Sequence, residues 1–220
     1  MLYAHPRGDG ELSTTQNEDF CATPLILTAY FKTLIRVRQS RMADSPKEDA
    51  PMKKPLILVV EDSQITQKMI QERFLELGCD LVSCENAEDA LKTLRSDCHI
   101  DVIILDFNLP GTIKGPALYE KITKDKDLSS ITVVPFTSTI DRNYNLKTMD
   151  PRDWARVSNS YNANDNATPI VSKGDSEHIR HVPDDLIMFV GSAIRKRGIG
   201  IPPPMREVLN SIVRNARKQE

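Results

Sequence analysis

The chain has 220 residues and a formal net charge of −2, so the molecule as a whole carries no field that would draw it to nucleic acid. No apolar stretch approaches the roughly 20 residues of a membrane-spanning helix, and a cytoplasmic protein without a membrane span is expected. The four cysteines, Cys21, Cys79, Cys84 and Cys98, show no CxxC spacing and read as reduced packing thiols.

Residues 1–53 read as an N-terminal extension and linker. Met1 to Phe20 lacks periodicity and Arg41 to Pro55 is charged and contains prolines. Between them Leu27, Tyr30, Phe31, Leu34 and Ile35 recur at the spacing of one helical face, which makes 25–37 a candidate amphipathic helix. It is either a docking helix or a segment ahead of a natural start at Met42 or Met52. Acidic Glu18 and Asp19 stand where a secretory signal would be positive, so export is not expected.

From residue 54 to residue 197 strand and helix patterns alternate. The apolar run Leu56 to Val60 is a buried strand, and Ser63 can cap a following helix that carries Ile65, Met69, Ile70, Phe74 and Leu77 and ends at Gly78. Leu81 to Cys84 is a second strand, Ala87, Ala90, Leu91 and Leu94 mark a helix, and Val102 to Leu105 is a third strand. Pro116 opens a helix with Leu118 and Ile122, and Ile131 to Phe136 is a fourth strand. A long polar stretch follows, in which Asp150-Pro151 starts a short helix through Trp154 and Asn159 to Asn166 reads as mobile. Ile170 to Ser172 is a fifth strand, and a helix starting near Pro183 carries Leu186, Ile187, Phe189 and Val190. Such repeated units imply a parallel sheet with helices on both faces.

If the first and third runs pair in parallel, Glu61-Asp62 and Asp106 crowd one rim, and such a carboxylate cluster wants a divalent cation. Thr137-Ser138 and Lys173, each after a later strand, add hydroxyls and an ammonium to the same edge, where ligands of open α/β sheets collect. Glu61 or Asp62 alone would read as a first-turn helix acid. The two histidines His178 and His181 lack the partners of a zinc site.

In this order, Glu61-Asp62-Ser63, the turn Asp106-Phe107-Asn108-Leu109-Pro110-Gly111, Thr137-Ser138 and Lys173 resemble the signature of the response-regulator receiver domain, from about Pro55 to Lys196. The resemblance implies an α/β, doubly wound, flavodoxin-like parallel sheet of five strands in the order 2-1-3-4-5. It also implies that Asp106 accepts a phosphoryl group from a sensor histidine kinase or phosphotransfer protein. Glu61, Asp62, Asp106 and the backbone carbonyl of Asn108 would hold Mg²⁺, Lys173 would pair with Asp106, and Thr137 would turn its hydroxyl toward the phosphoryl group. The expected product is a signalling switch, not a dedicated enzyme, acting on a downstream protein, with homodimer formation among the outcomes left open.

The sequence departs from the receiver pattern in three places. Gly174 follows Lys173 where receivers carry proline, so the loop is expected to take another path. Ile170 stands where receivers carry Tyr or Phe, and an insertion is expected at about 143–168, bordering the surface that receivers use for output and altering partner choice. A phosphorylation-independent interaction scaffold therefore stands as the alternative function. A metal-dependent phosphatase fits worse, because Asn108 cannot supply the second acid of that chemistry. Residues 198–220 break at Pro202-Pro203-Pro204 and resume as a tail helix with apolar Met205, Val208, Leu209, Ile212 and Val213 and basic Arg206, Arg214, Arg217 and Lys218. It is expected to pack back on the receiver; pairing with 25–37 or with a partner are the alternatives.

Overall fold

The computed structural model describes residues 53–139, 149–162, 166–174 and 181–218. Within them strand and helix alternate as β1 (Leu56–Val60), α1 (Gln64–Glu76), β2 (Asp80–Cys84), α2 (Ala87–Leu94), β3 (Val102–Leu105), α3 (Gly115–Lys124), β4 (Thr132–Thr137), α4 (Pro151–Asn162), β5 (Val171–Ser172), α5 (Asp184–Lys196) and α6 (Pro203–Ala216). The candidate helix at 25–37 lies outside the described residues, as do residues 143–148 and 163–165 of the expected insertion, His178 and Cys21.

All strand pairs are parallel and the order is β2-β1-β3-β4-β5, as the receiver resemblance implied. The chain winds from β1 outward to β2, then crosses to β3 on the other side, which opens a crevice beyond the carboxyl ends of β1 and β3. Alternation along the strands divides the core into two layers. Ile57, Val59, Val102, Ile104, Val134 and Phe136 face one layer with α1, α5 and α6, whereas Leu58, Val60, Ile103, Leu105 and Val133 face the other with α2, α3 and α4. Both faces of the sheet are covered, so the strands are apolar throughout.

Local signals set the element ends. Thr66 N–H donates to Ser63 Oγ at 3.3 Å, capping α1, and Gly78 leaves that helix at φ +84°. At the opposite edge of the sheet from the crevice, fully buried Asp101 accepts from Leu56 N–H at 2.9 Å and from Lys53 Nζ at 3.3 Å, tying the start of β1 to β3.

The helix after β4 is longer than the sequence pattern suggested. It runs from Pro151 to Asn162 and so includes residues expected to be polar and mobile. Val157, 1 % exposed, and partly buried Trp154 supply an apolar stripe at i and i+3 that the surrounding Asn and Ser residues obscure. Beyond it, Asn166 Nδ2 donates to Ser129 O at 3.3 Å and Thr168 Oγ1 to Val133 O at 2.8 Å, fastening the return segment to the sheet.

The tail packs back on the layer formed by α1 and α5. Met205 is fully buried and Val208, Leu209 and Ile212 lie against the α1–α5 core. Gly191 on α5 makes room, since a Cβ there would stand 2.8 Å from Leu209 Cδ1. Among the described residues no helix is long and apolar enough to cross a membrane.

Candidate functional site

The sheet ladder extends one residue past the strands: Glu61 N–H donates to Cys84 O at 3.0 Å and Asp106 N–H to Val60 O at 2.9 Å. Because Val60 pairs with Leu105, Glu61 and Asp106 emerge side by side at the crevice, with Asp62 next in line. One carboxylate oxygen from each of Glu61, Asp62 and Asp106 lies within 4.8 Å of the others. Glu61 and Asp106 are each 3 % exposed, whereas Asp62 is exposed.

Lys173 reaches this cluster from β5. Its Nζ lies 2.6 Å from Asp106 Oδ2 and 2.5 Å from Glu61 Oε2 and stands 5.5 Å from the centre of the Phe136 ring. Its N–H donates to Thr137 O at 2.9 Å, which fixes the lysine to the end of β4. The turn that follows relies on Gly174 at φ +81°, whose N–H donates to Ser172 Oγ at 3.0 Å; the described peptide bonds are all trans. Glycine thus provides another path for the loop while the ammonium still meets both acids.

The electrostatics of the rim are unbalanced. Burial, reinforced by the Asp106 carboxylate, pushes the Glu61 carboxyl up to about 7, against the opposing pull of Lys173 and the Ser63 N–H. One ammonium does not offset three crowded carboxylates. Hard oxygen donors held this closely, one of them driven toward protonation, fit a divalent cation such as Mg²⁺.

The loop after β3 is held around the same point. Asn108 N–H donates to Asp106 Oδ1 at 3.0 Å and its Nδ2 to Ser138 Oγ at 3.3 Å. Thr137 is fully buried, and its Oγ1 lies 3.2 Å from Thr139 Oγ1 and accepts from Thr139 N–H at 3.3 Å. The structure therefore gathers Glu61, Asp62, Asp106 and Lys173, with Asn108 on the rim, while the Thr137 hydroxyl is engaged with Thr139.

Three further residues shape the site without having stood out in the sequence. A Cβ on Gly115 would lie 2.2 Å from Asp106 O and 2.4 Å from Phe107 Cα, so only glycine lets α3 start this close to the acid. Its signal was a glycine just before Pro116. Gln67, one turn into α1, donates through Nε2 to Glu61 O. Glu88 on α2 accepts from Ile113 N–H at 3.2 Å and anchors the loop from the far side. Neither polar residue sits in a pattern distinguishable from a solvated helix face.

Comparison with known proteins agrees with this geometry. Residues 57–157 match the family model of the response regulator receiver domain, ending within α4. The chain is 28% identical over 106 residues to the probable transcriptional regulator ycf27 of Cyanidium caldarium, covering 44% of this chain and 42% of that protein. It is 27% identical over 112 residues to the transcriptional regulatory protein AruR of Pseudomonas aeruginosa, covering 45% and 46%. The chain thus spans less than half the length of these curated relatives. The crystal structure of the signal receiver domain of an HD domain-containing protein from Pseudomonas fluorescens Pf-5 superposes with a TM-score of 0.51 at 20% identity, covering 66% of this chain and 98% of that one, and shares the fold. Sheet order, acidic rim and family match converge: the chain carries a response-regulator receiver domain.

Proposed function

We propose that this receiver domain accepts a phosphoryl group on Asp106 and passes the signal on through protein contacts. The observation that carries the reading is that Asp106 and Glu61 share one ammonium, Lys173 Nζ, beside exposed Asp62. A carboxylate oxygen of Asp106 attacks phosphorus in line. The new P–O bond forms as the P–N bond of a donor phosphohistidine breaks, and the imidazole leaves with that electron pair and takes up a proton.

Glu61, Asp62, Asp106 and the Asn108 carbonyl are the groups proposed to hold Mg²⁺, which when bound supplies charge that offsets repulsion between an anionic donor and the rim. Lys173 holds the Asp106 carboxylate in place and then faces the added phosphoryl charge. Thr137, at the end of the neighbouring strand β4, is the hydroxyl proposed to donate to a phosphoryl oxygen once it leaves Thr139. The donor is a histidine kinase or a phosphotransfer protein, and the setting is the cytoplasm.

Full-length protein given acetyl phosphate and Mg²⁺ should take up acid-labile phosphate, and Asp106→Asn should take up none. Absence of label on the wild type under conditions that saturate a control receiver would overturn the reading. A phosphorylation-independent scaffold is the second reading, favoured by the 3 % exposure of Asp106 and by Ile170 in the place of an aromatic. Partner binding that ignores both phosphodonor and Asp106→Asn would select it.

A further inference from the structure

Thr137 and Thr139 form a closed pair inside the loop that leaves β4. They are 0 % and 2 % exposed, so neither hydroxyl can exchange its partner for water without moving. Thr137 Oγ1 already accepts from Thr139 N–H. The two hydroxyl oxygens stand 3.2 Å apart, so one hydroxyl donates to the other and closes a short ring of bonds. The same loop is tied to the acidic rim on either side, through Ser138 Oγ to Asn108 Nδ2 and through Thr137 O to Lys173 N–H.

We propose that Thr139 is a positioning residue of the phosphoryl-accepting site: its hydroxyl holds that of Thr137 in the resting protein and must release it when Asp106 is phosphorylated. The inference rests on Asp106 being the phosphoacceptor. No covalent bond changes in the exchange; one O–H donation moves from Thr139 Oγ1 to a phosphoryl oxygen. Thr139 is then left with a buried hydroxyl lacking its partner, a state that carries a free-energy penalty inside a protein. The 138–139 segment relieves this by moving outward, which turns phosphorylation into a displacement of the loop.

The test is the rate of phosphate uptake from acetyl phosphate with Mg²⁺ in the full chain, measured for wild type, Thr139→Val, Thr139→Ala and Thr139→Ser, each also in a Thr137→Ala background. Freed of its competitor, Thr137 reaches the phosphoryl group more readily. Both Thr139→Val and Thr139→Ala should therefore accelerate uptake roughly fivefold, the rate equivalent of one neutral hydrogen bond. Thr139→Ser should restore the wild-type rate, and in the Thr137→Ala background the substitutions at 139 should have no effect. A labelled wild type with unchanged or slower Thr139→Val and Thr139→Ala, or an acceleration that persists with Thr137→Ala, overturns the inference and leaves the phosphoacceptor reading standing. A wild type that takes no label overturns both. Thermal melts of each variant identify loss of folding, and the Thr139→Ala and Thr139→Val pair guards against one variant failing to fold.

Discussion

Gly115 at the start of α3 sits directly against the backbone of Asp106: a Cβ added there would be 2.2 Å from the Asp106 carbonyl oxygen. The obstacle is backbone, which cannot swing aside as a flexible side chain does. Substitution Gly115→Ala must therefore drive α3 away from the loop that carries the acid. Overpacking of this kind costs about 1–3 kcal/mol. Urea melts should show a loss in that range, and Mg²⁺ titration should show weaker binding than in wild type, because the shift moves one of the three acids. Unchanged stability and unchanged Mg²⁺ affinity would mean that the close approach does not exist in solution.

The raised Glu61 carboxyl links stability to pH when no metal is present. Its value in the folded protein, about 7, exceeds the ordinary 4.5, so between these limits the folded state binds more protons than the unfolded one. Its stabilising contribution is therefore complete below pH 4.5 and is lost as pH rises through 7. In chelator, the stability of wild type relative to Glu61→Gln should fall across that window. Saturating Mg²⁺ should flatten the difference, because a bound cation stabilises the ionised carboxylate that burial and the Asp106 charge otherwise disfavour. Denaturant midpoints at successive pH values with and without Mg²⁺ measure it; a difference that rises with pH would contradict the assignment.

The interface between α3 and α4 contains hydroxyls with no hydrogen-bond partner among the described residues. Tyr119 is fully buried and Ser160 is 3 % exposed, and burial pushes the Tyr119 phenol above its ordinary range. A buried donor without a partner carries a penalty of about 1–3 kcal/mol, whereas an apolar replacement of the same shape does not. Tyr119→Phe keeps the ring against Phe107, whose centroid lies 6.1 Å away at an interplanar angle of 74°. Both Tyr119→Phe and Ser160→Ala should raise the melting temperature or leave it unchanged. A clear loss in either would show that its hydroxyl is bonded in solution.

Much of the fold is legible in the sequence because each βα unit carries its own punctuation. Buried apolar runs mark the strands, and Ser63, Gly78 and Pro116 mark where helices start and stop. Glu61, Asp62, Asp106 and Lys173 were legible as a group because parallel pairing sends every strand end to one edge. Residues whose importance lies in packing were not. Gly115 matters through a distance to a backbone oxygen, and Thr139 through a hydroxyl partner two residues away, neither of which leaves a periodic trace. The length of α4 was hidden for a related reason: its buried stripe contains few apolar residues, and its polar ones resemble a loop.

The tail helix belongs to the folded core rather than standing off it. Met205 is 0 % exposed and packs in the same layer as Ile70, Phe74 and Leu186, and Ile201 just before it is also buried. Pro202 lies against the turn at Gly78, where a Cβ would come within 2.9 Å of its own Cβ. Removing the Met205 side chain leaves a cavity in that layer, and such a truncation costs about 2–5 kcal/mol. Met205→Ala should therefore lower the global denaturation midpoint in a single cooperative transition that includes the sheet. An exposed apolar position on another helix supplies the control: Ile65, 64% exposed, should tolerate Ile65→Ala with little change. If Met205→Ala instead loosened only the tail, with the sheet unfolding at the wild-type midpoint, α6 would be an appendage held by weak contacts.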